Sequence, residues 1–343
     1  MAVQLRSLPV PSQAQCYRLG DGVLDLRTDD PAFLRRFNRL YADSVIEPSE
    51  SAERVLMTTR SSHEFVLVSF DDPDPPDPAA FVGAIFPDRG YHEVESTQVP
   101  SGWRIMAGGD RSGTLAFSGG DALVEARAPW QRFIGNLAVN RVLRLQRDTV
   151  FFHAASAGIR GRGVLLVGPK ESGKTTLSLA IAARGHEFLG DETAGVRLKT
   201  REIVPVRRTP AIRPGPAAAA VRTALAAGRY SRERFPDGSV RVRAQGSRLF
   251  PREDASREPS RSLALGAIVF LSGFSPAPIL SRLSPGREHL ALLTPLACSL
   301  WDTPPARRAL ELAGLLSAVP CYMLNAGAPE ATAELLDRTL EEQ

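Results

Sequence analysis

The stretch GVLLVGPKESGKTTL, residues 163–177, constrains the fold more than any other part of the chain. Gly163 to Val167 are apolar enough for a buried strand. Gly168, four further residues and Gly173-Lys174-Thr175 follow, and then at once the helix-like run LSLAIAARG. The pattern G-x-x-x-x-G-K-[ST] between a strand and a helix is a Walker A loop. Its glycines let backbone N–H groups turn inward, where they and the helix N-terminus surround an anion. Ligands in such α/β sheets lie at the carboxyl ends of the strands.

This places a nucleotide, with Mg²⁺, on Gly168, Pro169, Lys170, Glu171, Ser172, Gly173, Lys174, Thr175 and Thr176. Lys174 is expected to neutralise the β- and γ-phosphates, and the Thr175 hydroxyl to ligate Mg²⁺. The loop centre, Pro169-Lys170-Glu171-Ser172, has no internal glycine, and Glu171 adds negative charge there. Only three of the 42 basic residues are lysines, and two of them, Lys170 and Lys174, lie in this loop. A compact ammonium suits a point-charge contact to phosphate.

Asp191-Glu192 end the next strand-like run, HEFLG (186–190). If that strand is parallel and adjacent to 163–167, both acids stand beside the loop. There they would hold Mg²⁺ or accept a proton from a hydroxyl nucleophile. The alternative is a helix N-cap and a solvated acid. His153 lies in VFFHAASAGI (150–159), read as the strand before the loop strand. By spacing alone, a lone strand histidine is more often a satisfied core residue.

The chain has 343 residues, 43% hydrophobic and 23% charged, an ordinary globular composition long enough for two domains. No apolar run reaches the length of a membrane span, and the N-terminus lacks the apolar core of a signal peptide. Cys16, Cys298 and Cys321 are widely spaced and form no disulfide framework, so a cytoplasmic setting is expected. Charge is uneven: residues 151–262 carry 21 basic and 10 acidic groups, whereas the flanking segments are net acidic. A basic middle suits a phosphate-bearing ligand or an acidic substrate. Few aromatics and no reader motif accompany it, which argues against nucleic acid as a partner.

Organisation changes near residue 129. Residues 17–126 read as short strands around one helix, PAFLRRFNRLYADS (31–44), and an acidic proline-rich loop at 71–78. Strands are expected over 64–70, 80–86, 91–98, 102–107, 113–117 and 121–126. A periodic helix, 129–146, leads into the second part. There 194–207 reads as a hairpin and 263–271 as a strand. Helices are expected over 287–301 and 306–319, a strand over 320–327 and a last helix after it. Residues 209–262, rich in Pro, Ala, Arg and Ser, read as loops with a helix near 216–228. The expected architecture is α/β, with a β-rich domain over 1–128 and a P-loop domain with a mixed sheet over 129–343.

The run FFHAASAGIRGRGVLLVGPKESGKTTLSLAIAARGHEFLGDETAGV (151–196) resembles the catalytic core of HPr kinase/phosphorylase. His153, the loop Gly168 to Thr175, Arg184-Gly185-His186 and Asp191-Glu192 carry that resemblance. More loosely, residues 130–330 are similar to HPr-kinase-related proteins, including lasso-peptide kinases that phosphorylate a peptide serine. The resemblance implies a P-loop kinase domain of the HPr kinase type. It implies transfer of a γ-phosphoryl group from ATP to a serine or threonine hydroxyl of a peptide or small protein, or less readily of a small metabolite. Asp191 would orient or deprotonate the hydroxyl, with Glu192 assisting with Mg²⁺ or sharing the base role. His153 would lie near the transferring phosphate. One arginine among Arg207, Arg208 and Arg213, with Arg213 the candidate chosen, would stabilise transition-state charge. The family's second acid is usually Asp, and here it is Glu192. The regulatory kinase's second signature segment is absent, so neither an HPr substrate nor the reverse phosphorylase activity is implied. The competing expectation is a nucleotide-binding accessory or scaffold protein with a degenerate site. A simple NTPase switch lacks a water-positioning residue. The sequence leaves the oligomeric state open, a homo-oligomer included, and also the choice between ATP and GTP.

Overall fold

The computed structural model describes residues 11–48, 54–61, 65–71, 94–99, 102–107, 111–118, 121–126, 131–226, 230–234, 238–250, 262–297 and 304–342. The expected strand at 80–86 and the proline-rich loop over 72–78 lie outside these residues. The chain divides into two compact units, with the line drawn after Gln146 and with Tyr41–Asp43 belonging to the second.

In the first unit, nine strands form one sheet: β1 (Gln13–Leu19), β2 (Gly22–Thr28), β3 (Val45–Ile46), β4 (Arg54–Ser61), β5 (Phe65–Asp71), β6 (Val94–Val99), β7 (Gly102–Ala107), β8 (Arg111–Ser118) and β9 (Asp121–Ala126). Among the described residues their order is β3-β1-β2-β4-β5-β9-β8-β7-β6, and only β2 and β4 run parallel. Helix α1 (Pro31–Tyr41) repeats apolar residues at helical spacing, and it buries Phe33 and Phe37. Phe37 meets Tyr17 edge to face, with ring centroids 4.7 Å apart. The sequence places helix α2 (Gln131–Leu145) with the second part, whereas the structure places it in the first unit. The cause is Gln146, just past its end, whose amide binds the Asp21 N–H (2.8 Å) and the Leu19 carbonyl (2.8 Å). Those contacts clamp the helix end to the β1–β2 turn.

The second unit is a mixed sheet between helices. Its strands are β10 (Thr149–Phe152), β11 (Ala155–Ile159), β12 (Arg162–Val167), β13 (Glu187–Gly190), β14 (Ala194–Arg197) and β15 (Glu202–Val204). A separate three-stranded sheet holds β16 (Ala211–Ile212), β17 (Ser231–Arg234) and β18 (Val240–Arg243). Then come β19 (Leu263–Phe274), β20 (Ile279–Leu283) and β21 (Cys321–Ala326). The main order is β10-β14-β15-β19-β12-β11-β13, with β21 between β19 and β20. Strand β19 runs parallel to both β12 and β21, and the other pairs are antiparallel.

Helices of this unit are α3 (Lys174–Ala183), α4 (Pro216–Ala220), α5 (Arg222–Ala226), α6 (Gly246–Leu249), α7 (Arg287–Leu293), α8 (Pro305–Ala318) and α9 (Pro329–Glu341). Strand alternation sends Leu165 and Val167 of β12 to one face, where they join Leu293, Leu312 and Leu316 of α7 and α8. Val164 and Leu166 face the other way, toward Leu177 and Ile181 of α3 and Leu336 of α9. Leu179 of α3 enters a third cluster with Ile212, Val221 and Leu249. Helix α3 is therefore apolar on nearly every side because it is covered from two directions.

Two expectations change here. The run 150–159 is two strands, β10 and β11, broken at His153-Ala154, because β10 pairs with β14 while β11 pairs with β12 and β13. The expected helix over 287–301 stops at Leu293 and gives way to a 3₁₀ turn over Thr294–Leu296, where Pro295 lacks the N–H to continue it.

Candidate functional site: the loop and its acidic neighbour

Loop 168–173 leaves the carboxyl end of β12 and closes on the N-terminus of α3. Gly173 supplies the left-handed turn that starts the helix (φ 96°). Gly168 has no room for a side chain: a Cβ there would lie 2.6 Å from Ser172 Oγ and 3.1 Å from the Leu271 carbonyl oxygen. Glu171 also adopts a left-handed backbone (φ 69°), and its carboxylate pairs with Arg213 (2.8 Å). That bond is the first cause drawing the Glu171 carboxyl below its usual range.

Lys174 is buried, and its ammonium donates to the carbonyls of Gly168 (2.7 Å) and Pro169 (2.8 Å). Burial pulls its pKa down, while Asp191 and Glu192 pull it up. Ser172 Oγ is buried with no hydrogen-bond partner. A strong buried donor engaged only by carbonyls and an orphaned hydroxyl are what a loop shaped around an anion presents. The residues therefore fit a phosphate chain, with Lys174, Ser172 and the loop N–H groups to hold it.

Asp191 reaches the loop by a route the sequence reading does not contain. Strand β13 is parallel to β12 in direction but not adjacent, since β11 lies between them. The carboxyl ends of β12 and β13 still share one sheet edge. There the Thr175 hydroxyl lies 3.1 Å and 3.0 Å from the two Asp191 carboxylate oxygens. Asp191 is 4% exposed. Burial, and then the neighbouring Glu192 charge, push its pKa from 3.8 to about 6. Strand β14, not a helix, follows it, so Asp191 caps nothing. Thr175 and Asp191 together offer the hydroxyl and carboxylate oxygens a hard cation prefers.

Glu192 sits in a left-handed conformation (φ 68°) and pairs with Arg208. Its carbonyl oxygen lies 3.1 Å from His153 Nδ1. The break between β10 and β11 thus puts His153 against the acidic pair rather than in the strand core. Of the three arginines weighed from sequence, Arg208 meets Glu192 and Arg213 meets Glu171. Tyr41, near the end of α1, is buried beside Arg208 and Glu192, and burial raises its pKa. Arg243 of β18 donates to the Thr209 carbonyl (2.9 Å). Tyr41 carries no local sequence signal, because it meets Arg208 and Glu192 only through the tertiary fold.

Among the described residues no helix is long and apolar enough to cross a membrane. No group of three or more His, Cys, Asp or Glu residues among them is placed to hold a metal by itself. No family model matches the chain, and no curated protein matches it. Among solved structures, the Hpr(Ser) kinase/phosphatase from Coxiella burnetii aligns over 56% of this chain and 96% of its own, at 14% identity and a TM-score of 0.29. At that score the alignment adds nothing to what the geometry itself carries.

Proposed function

We propose that the second unit is the core of an ATP-dependent kinase acting on a serine or threonine hydroxyl of a peptide or small protein. The observation that carries this reading is the Asp191 carboxylate, buried, with its pKa raised to about 6, and held against Thr175 at the mouth of a Walker A loop. A carboxylate with that proton affinity suits a base that must accept a hydroxyl proton near neutral pH.

Lys174 would exchange the Gly168 and Pro169 carbonyls for phosphate oxygens. Thr175 would hold Mg²⁺, which when bound would offset phosphate charge, and Asp191, beside it, would face the acceptor hydroxyl. The acceptor oxygen would bond to the γ-phosphorus as the bridging P–O bond to ADP breaks, and its proton would pass to Asp191. Arg208 already balances Glu192, which leaves Asp191 as the acid of the pair without an arginine partner among the contacts described above. Arg213 would turn from Glu171 toward the γ-phosphate as charge develops. His153 would hold the Glu192 carbonyl and so the backbone turn that aims Asp191.

A second reading, a nucleotide-binding accessory protein, draws on the same ion pairs: Glu192 and Glu171 are each neutralised by an arginine. Asp191→Asn separates the two. Labelled γ-phosphate transfer to serine- and threonine-containing peptides should fall by about 10²- to 10⁴-fold while nucleotide affinity persists. Transfer at the wild-type rate would remove Asp191 from the chemistry. Nucleotide binding with no transfer in either protein would favour the accessory reading.

A further inference from the structure

Strand β19 lies beside the loop strand, with Val167 opposite Phe270, and continues past it to Phe274. This overshoot carries the Leu271 carbonyl to Gly168 and the Phe274 ring to Gly173. The ring atoms Cε1 and Cζ lie 3.4 Å and 3.6 Å from where a Cβ on Gly173 would stand. The ring is nevertheless 69% exposed, and among the described residues no other aromatic ring meets it. An aromatic face is thus presented to solvent against the second glycine of an anion-binding loop.

Its position is set by the sheet. Asp191 reaches the loop from β13, across β11, on one side of β12. Phe274 arrives from β19, on the other side. A nucleotide whose terminal phosphates point to Thr175 and Asp191 would extend its opposite end away from β11 and toward β19. The hydroxyls flanking the ring are engaged within the protein: Ser272 Oγ with Asn325 Oδ1 (2.9 Å) and Ser275 Oγ with the Ala277 carbonyl (2.5 Å). What remains on offer is a π-face.

We infer that Phe274 is the stacking platform for the base of the nucleotide held by this loop, an inference that rests on the nucleotide reading above. Stacking tolerates any base, because every base has a π-face. The site therefore binds the purine nucleotides ATP and GTP with similar affinity.

The test is calorimetry of the full chain with Mg-ATP, Mg-GTP and Mg-tripolyphosphate, comparing wild type, Phe274→Ala, Phe274→Trp and Lys174→Ala. Phe274→Ala should weaken both nucleotides by about 5- to 100-fold and leave tripolyphosphate unchanged. Phe274→Trp should retain nucleotide affinity, with its fluorescence quenched on binding. Lys174→Ala should weaken all three ligands. Wild-type nucleotide affinity in Phe274→Ala, with Lys174→Ala impaired, would overturn the stacking role and leave the nucleotide site standing. Equal loss of tripolyphosphate in Phe274→Ala would also overturn it, since the ring would then be shaping the loop. If Lys174→Ala changes nothing, the nucleotide reading falls and the stacking role with it.

Discussion

Asp191→Asn should stabilise the second unit at pH 8 and leave its stability unchanged near pH 4. In the unfolded chain this carboxyl titrates near 3.8, and in the fold, where burial and Glu192 disfavour its charge, at about 6. Well below pH 3.8 both states are protonated and the group contributes no difference, and near pH 4 the difference is still small. As pH rises from about 4 to 6 the unfolded chain releases this proton while the fold keeps it, so wild-type stability falls, and above 6, where both states are ionised, the loss is complete. The full gap corresponds to about 3 kcal/mol at about 1.4 kcal/mol per pK unit, an upper bound reached by pH 8. Asparagine carries no charge at any pH, and its carbonyl oxygen still accepts from Thr175. For a unit of this size, about 3 kcal/mol moves the melting temperature by about 6–12 °C. Thermal melts of both proteins from pH 4 to 8, in chelator so that no cation offsets the charge, measure the difference directly. A substituted protein that melts lower at pH 8, or a difference independent of pH, would refute the reasoning.

Phe37→Ala should destabilise the first unit by about 3–5 kcal/mol, read by urea unfolding, because the ring is 1% exposed and seated against Tyr17 and Phe33. Gly168→Ala should lose anion binding and about 1–3 kcal/mol of stability, since its Cβ would meet Ser172 and the Leu271 backbone. Calorimetry and melts on one preparation check both effects. Leu310→Ser, at a position 74% exposed on α8, should change stability by less than about 0.5 kcal/mol, and a larger loss in the same unfolding assay would mean that this face is covered.

The loop was legible because its chemistry is local: strand, Gly168, Gly173, Lys174, Thr175 and helix are consecutive. Asp191-Glu192 were legible as a pair, but not the route by which they reach the loop. That route depends on β11 inserting between β12 and β13, and pairing partners leave no mark on a five-residue apolar run. His153 was misplaced for the same reason, since β10 and β11 read as one strand until their different partners are known. Residues 209–262 look like loops because β16 and β18 are two and four residues long and pair across some 30 positions, as Ala211 does with Arg243. Short strands rich in arginine carry too little alternation to register. The helix near 216–228 appears as α4 and α5, and β19 runs three residues beyond the strand expected at 263–271. Those three residues bring in Phe274.

Every step proposed for this site requires that the loop hold a nucleotide. Titration of the purified chain with Mg-ATP, beside Lys174→Ala shown by circular dichroism to be folded, addresses that directly. The structure predicts saturable binding that the substitution abolishes, because the buried ammonium bonded to Gly168 and Pro169 is the group that would meet the phosphates. No binding by a folded wild-type chain, or binding that survives the loss of Lys174, would contradict it.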